Sequence, residues 1–338
     1  MNVLSDRFKA FATRECKGSS PLYEHLSIRI AEDDELLQMA SHVNRNQPVP
    51  NLFFGAVHYL LIKGNSHELR EYYASIVENP REAATAFESF KAFCILHKNK
   101  IIPILQSKLV QTNEVRRCSY LYPAFCYIYE KTNKPLALIE IGTSAGLQLL
   151  WDKYSYSYNT HEVYGDSLSE LKIISEIRGD KQPILHKHCP PVVTRIGIDL
   201  HINDLEDPED DLWLKSLIWP EHAERRNNFE KAVHCFKEHS LELIEGDGMR
   251  LLPKLASNIP LESTLCVFHT HVANQIPKDD KHKWMEYVQE LGKVRDVFHL
   301  YNNMWDSDLH LDYYLDGEEY KETIAETDGH GRWFQWKA

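Results

Sequence analysis

The stretch Pro135-Leu-Ala-Leu-Ile-Glu140-Ile-Gly142-Thr-Ser144-Ala-Gly146-Leu147 decides how this chain is read. A short apolar run stops at a glycine, which suits a strand buried on both faces. Small residues follow, and Leu147 to Lys153 carries a helical pattern. Strand, glycine turn and helix bring backbone N–H groups to a point where a ligand can approach. In open α/β sheets ligands bind at that point, beyond the carboxyl ends of the strands.

The residues that follow repeat the alternation. Val192–Asp199 reads as a strand, 220–239 as a long helix, 241–245 as a strand, 249–256 as a helix and Thr264–His269 as a strand. A helix over 279–291 and a strand over 296–301 come next. Alternation of this kind predicts parallel crossover units and a doubly wound sheet. The segment 309–336, rich in Tyr, Trp and turn residues, reads as antiparallel strands. Residues 154–191 form an insertion in which Tyr154, Tyr156 and Tyr158 alternate as in an edge strand.

Upstream the texture changes. Only Gly18, Gly55 and Gly64 of the 14 glycines precede residue 134, and the chain there reads as punctuated helices. Ser20-Pro21 is a helix start, with a capping hydroxyl and a proline at the first helical position. Asn51 to Lys63 is an apolar helix, and 81–98 and 114–132 are helical by period. The expected fold is α/β: a helical N-terminal domain over 1–133 and a Rossmann-like sheet domain over 134–338, with the helical part helping to close the pocket.

Charge narrows the partners. With 38 basic and 50 acidic residues the net charge is −12. Residues 1–133 hold 16 Lys/Arg and 14 Asp/Glu (+2), leaving 22 and 36 (−14) for the rest. An acidic second half disfavours a nucleic-acid partner. No apolar run is long enough for a membrane span, and the amphipathic N-terminus lacks a signal peptide's apolar core. Seven cysteines without a CxxC pair argue against a disulfide framework. A cytoplasmic location follows as the expectation.

The glycine turn admits more than one chemistry. Glu140-Ile-Gly142-Thr-Ser144-Ala-Gly146 fits the cofactor turn of an S-adenosylmethionine-dependent methyltransferase, where an acidic residue precedes small ones. The same letters spell G-x-S-x-G, the nucleophile elbow of α/β-hydrolases with Ser144 as nucleophile. They also fit a tight turn with no ligand, or the turn of a non-catalytic nucleotide-binding protein. The elbow normally follows earlier strands, and none is legible upstream, so context favours the cofactor turn.

On that reading the strand ends share the work. Glu140, Gly142, Ser144 and Gly146 would hold the amino-acid end of S-adenosylmethionine. Asp199, at the next strand end, would accept the ribose hydroxyls, with Asp166 as its rival because the spacing from Gly146 is long. Asp247 would meet the adenine, or else cap the helix after it. His269, His271 and Asn274 would face the methyl acceptor, a small molecule or a protein. Gly329-His330-Gly331 reads as a mobile turn. His186-Lys-His188-Cys189 has metal-ligating residue types but awkward spacing, so no metal site is assigned.

Several motifs together give the chain a family likeness. These are Ser20-Pro21-Leu22-Tyr23, Pro50-Asn51-Leu52 with Ala56-Val57-His58-Tyr59, the Glu140–Leu147 turn, Asp152-Lys-Tyr154 and Arg195-Ile-Gly-Ile-Asp-Leu200. They continue with Trp219-Pro-Glu-His-Ala-Glu-Arg225, Gly246-Asp247, Val267-Phe-His-Thr270 and His330-Gly331. The chain resembles, over nearly its whole length, the uncharacterised bacterial domain-of-unknown-function family numbered 2332. That resemblance implies a class I methyltransferase-like fold and supplies no reaction.

Overall fold

The structure, a computed structural model, describes residues 2–338. In chain order its α-helices are α1 (Asn2–Phe11), α2 (Pro21–Ile30), α3 (Asp34–Ala40), α4 (Val49–Ile62), α5 (Phe87–Leu96), α6 (Lys98–Ser107), α7 (Cys118–Thr132), α8 (Pro208–Ser216), α9 (Ala223–Lys237), α10 (Gly248–Ser257) and α11 (Lys278–Gly292). The strands are β1 (Leu136–Ile141), β2 (Ser155–Tyr158), β3 (Tyr164–Gly165), β4 (Lys172–Arg178), β5 (Val192–Asp199), β6 (Glu242–Glu245), β7 (Thr264–His269), β8 (Val297–Tyr301), β9 (Leu309–Leu315), β10 (Glu318–Thr327) and β11 (Trp333–Trp336).

The chain divides into two compact units, residues 1–112 with 206–227, and 113–205 with 228–338. The first boundary thus falls at Thr112 rather than at residue 133, α7 groups with the sheet, and α8 groups with the N-terminal helices. Among the described residues of the first unit every regular element is helical. Ser20 caps α2 by accepting from the N–H of Tyr23 at 3.1 Å, with Pro21 at the first turn. This satisfies one of the N–H groups a helix start leaves without a partner. Tyr23 stacks on Phe54 at 4.2 Å, and Phe8, Phe53 and Phe90 close the same core.

The second unit holds the sheet, in the order β3-β2-β4-β11-β10-β9-β8-β7-β1-β5-β6. From β8 to β6 every pairing is parallel. The run winds outward from β1 in both directions, as the alternation of elements implied. The reason is visible in β1, all six of whose residues are buried. Ala137, Ile139 and Ile141 pack with Ile196, Ile198, Val267, Leu252, Trp284 and Val288 toward α10 and α11. Alternation sends Leu138 and Glu140 to the other face. On that face α7 presents Phe125 to Phe268 (5.3 Å, edge-on) and to Trp151 (4.7 Å, stacked). Truncating a side chain such as Ile139 to alanine in this two-sided core costs about 2–5 kcal/mol.

One expectation is refined and two are corrected. The segment 147–153 is helical over the expected residues, but as 3-10 helix broken at Leu150 rather than regular α-helix, and Leu147, Leu149, Leu150 and Trp151 are all buried. Within 154–191, β2 does not lie at the edge, since β3 and β4 flank it and all four of its residues are buried. In 309–336, β9 and β10 are antiparallel, but β11 also pairs parallel with β4, joining the insertion to the main sheet.

Candidate functional site at the strand ends

The turn after β1 is built by hydrogen bonds to its neighbours. The N–H groups of Gly142 and Thr143 both donate to the Ile198 carbonyl at the end of β5 (2.8 and 3.2 Å). Gly142 has φ +73°, and a Cβ there would lie 2.6 Å from Val272. Only glycine meets both demands, positive φ and close packing, without strain. Ser144 has φ +53°, which costs a non-glycine residue about 1 kcal/mol. Its own bonds hold it there: its N–H donates to Asp199 Oδ2 at 2.8 Å, and its carbonyl accepts from the N–H of Asn203 at 3.1 Å. Its Oγ accepts from the amide groups of Asn113 and Asn203, both at 2.9 Å. Asn113 Oδ1 accepts from the N–H of Ala145, which fixes the amide orientation.

Asp199 is shaped by the same turn. Besides the Ser144 N–H it accepts from the N–H of His201 at 3.1 Å. Burial raises its pKa, and these backbone donors oppose the rise. Its carboxylate is therefore fixed in direction before any ligand arrives.

A cleft of ≈ 560 Å³ opens over the ends of β1, β5, β6 and β7. Gly142, Asp199 and Asp247 all line it. Ile198, Leu200, Met249, Ile276 and Trp284 supply apolar walls, and its volume falls in the usual range for small-molecule sites. Asp247 caps α10, accepting from the N–H of Met249 at 2.9 Å, and lies 3.4 Å from the Arg250 guanidinium. Lys283 at the rim lies 2.9 Å from Asp280. Both rim cations thus stand beside acids, and the cleft offers no concentrated positive charge for a phosphate chain.

The remaining expected residues lie elsewhere. Glu140 is buried on the α7 face, where Thr143 Oγ1 donates to its Oε2 at 2.6 Å. Burial pushes its carboxyl up to about 8; the Thr143 hydroxyl and Arg117 oppose the rise, and the Asp199 charge adds to it. Gly146 begins the 3-10 segment against Leu241 and Leu243. His269 is fully buried outside the cleft, between Trp284, Tyr301 and His299, with its Nε2 3.2 Å from the Nε2 of His299. Burial pushes His269 down to about 3, so it is a neutral core histidine. His271 stands just beyond β7, with its ring beside Gly329. Asn274 is exposed and does not line the cleft.

Gly329-His330-Gly331 is tied down rather than mobile. Arg117 Nε donates to the Gly329 carbonyl at 3.0 Å, and Ser119 and Ser175 both donate to the Gly331 carbonyl. Asp166 lies outside the cleft, closing a turn with the N–H of Leu168. His186 Nε2 is 2.9 Å from Glu130, and among the described residues no three His, Cys, Asp or Glu side chains converge as a metal-binding group.

Sequence reasoning did not find Asn113, Asn203, Val272 or Trp284. Lone asparagines in loops carry no periodic signal. Trp284 could have been found, since it lies on the apolar stripe of α11 with Val288 and Leu291.

Fold and site define a mixed α/β protein with a large, mostly parallel sheet and an acid-bearing cleft over its strand ends. The chain belongs to the family described as uncharacterized protein conserved in bacteria (DUF2332), which matches residues 5–336. Neither a curated protein nor a solved structure matches it. Among the described residues no helix is long and apolar enough to cross a membrane.

Proposed function

We propose that this protein is an S-adenosylmethionine-dependent methyltransferase of Rossmann-like architecture, and that the cleft over β1, β5, β6 and β7 receives the adenosine end of the cofactor. One observation carries the reading. Gly142, Asp199 and Asp247 come from three separate strand ends, and all three line one cleft. The parallel order β6-β5-β1-β7-β8 supports it, because such a sheet binds nucleotides where the winding reverses, beside its first strand.

The residues present suit such a ligand. Asp199, held by two backbone N–H groups, would meet the ribose hydroxyls. Leu200, Met249 and Ile276 would flank the adenine, with Asp247 at its edge. A Cβ on Gly248 would meet Ile141 at 2.8 Å, so the start of α10 packs directly against β1 at the cleft. When bound, the cofactor supplies an electrophilic methyl group. The protein's share is alignment, which can lower a barrier by several kcal/mol.

The hydrolase reading fares worse on physical grounds. A nucleophilic serine needs a free lone pair and a neighbouring base. Ser144 Oγ accepts from the amides of Asn113 and Asn203, and neither of these partners is a base. The G-x-S-x-G letters, the strand before them and the positive φ of Ser144 match an elbow, but the partners of its hydroxyl do not.

Isothermal titration with S-adenosylmethionine and S-adenosylhomocysteine tests the proposal. Saturable binding of both supports it, and no heat at millimolar ligand removes it.

A further inference from the structure

The turn after β7 places an amide on the cleft wall. Val272–Gln275 form a single 3-10 turn, and the Ile276 N–H closes it by donating to the Ala273 carbonyl at 3.2 Å. Pro277 comes next and cannot extend the turn, since it has no N–H to donate. In a 3-10 helix, side chains three positions apart eclipse. Val272 and Gln275 therefore share one face, and both line the cleft. Ala273 is fully buried in the core beside the sheet, whereas Asn274 is exposed and off the cleft. Val272 also stands 2.6 Å from the position of a Gly142 Cβ. The turn is thus anchored by Ala273 and Val272, and Gln275 is held on the cleft side.

The cleft's acids are already engaged. Asp199 accepts from the N–H groups of Ser144 and His201. Asp247 accepts from the Met249 N–H and lies beside Arg250, and Asp280 lies beside Lys283. Gln275 differs from them. It is exposed, and among the described residues its amide has no hydrogen-bond partner in the protein. A primary amide carries an acceptor and a donor side by side. Neither is tied here, so both are open to a ligand. Ile276, the next residue, supplies an apolar wall of the same cleft. An apolar wall beside an uncommitted amide suits a planar base with a polar edge.

An amide matches one base edge in particular. Its oxygen accepts from adenine N6–H while its nitrogen donates to N7. A carboxylate such as Asp247 can accept from N6–H but has no hydrogen to give N7. Resting on the methyltransferase reading above, we propose that Gln275 is a specificity-determining residue that reads the N6/N7 edge of the cofactor's adenine. It selects adenine over hypoxanthine or guanine, whose oxygen at position 6 has no hydrogen to offer the amide oxygen.

The test is isothermal titration of the full chain with two probes. S-Adenosylhomocysteine carries N7, and S-tubercidinylhomocysteine is the same molecule with a C–H in its place. We expect the unaltered protein to bind the first about tenfold more tightly. Gln275→Leu removes both amide atoms, and Gln275→Glu keeps an oxygen but loses the N–H. In both variants the preference should fall to within about twofold, through weaker binding of S-adenosylhomocysteine. Gln275 is exposed, so both variants should keep the urea midpoint of the unaltered protein. Equal affinity of the unaltered protein for the two probes, or a preference that survives in Gln275→Leu, overturns the proposal and leaves the cofactor reading standing. Failure of both probes to bind the unaltered protein removes the cofactor reading, and this proposal with it.

Discussion

The backbone N–H of Ser144 donates to Asp199 Oδ2 at 2.8 Å, so the glycine turn after β1 and the end of β5 are one hydrogen-bonded piece. The same carboxylate lines the cleft. Asp199→Ala removes the proposed ribose contact together with the acceptor of two backbone N–H groups. S-Adenosylmethionine affinity should fall at least about tenfold, or about 1.4 kcal/mol. Asp199→Asn, which keeps one acceptor oxygen, should fall in between. Titration calorimetry reads both, and unaltered affinity in the alanine variant would refute the ribose role.

Gly142 meets two constraints that can be separated. Gly142→Ala should lower stability by about 1–3 kcal/mol, from the positive φ and from contact with Val272. Adding Val272→Ala relieves the contact but not the backbone. The double variant should therefore recover part of the loss, measured as the shift in urea midpoint. Complete recovery would mean that φ contributes nothing.

Ser144 should not react as a nucleophile. Its Oγ accepts from Asn113 and Asn203. A fluorophosphonate probe at pH 8 should leave it unlabelled by peptide mass spectrometry. Ser144→Ala removes the acceptor of both amides and should cost about 1–3 kcal/mol of stability. Stoichiometric labelling of Ser144 would restore the hydrolase reading.

The response to acid has a definite sign. Burial pushes His58, His269 and His271 down to about 3, against an ordinary value of 6.5, and lowers His299 as well. Between those limits the unfolded chain binds more protons than the folded one. The stability these groups contribute is thus complete above 6.5 and is lost as pH falls toward 3. Glu140, raised from 4.5 to about 8, acts oppositely: its contribution is complete below 4.5 and is lost as pH rises through 8. Four groups outweigh one, so the urea midpoint should be lower at pH 5 than at pH 7. A higher midpoint at pH 5 would contradict the buried neutral histidines.

The elements that carry the site were legible where the chain punctuates itself. β5 and β7 have the boundaries expected for them, because β-branched runs there end at turns. Asp247 caps α10, one of its two readings, and also lines the cleft. His269 was misjudged because its place at a strand end outweighed its alternation. It shares a face with Leu265 and Val267, both in the core, and that period pointed inward. The helix over 147–153 was legible, but its 3-10 form was not, because four large apolar residues in seven fit either helix type. The clamp of Asn113 and Asn203 on Ser144 was not legible at all. Such contacts join residues 31 and 59 positions apart, and no local pattern encodes them.

The account stands or falls on whether the acid-walled cleft takes an adenosine-bearing sulfonium ligand. Titrating the full chain with S-adenosylmethionine, beside an Asp199→Ala control, measures this directly. Saturable one-to-one binding that weakens at least about tenfold in the control is the expected result. No binding at millimolar ligand, or equal binding by both chains, would contradict it.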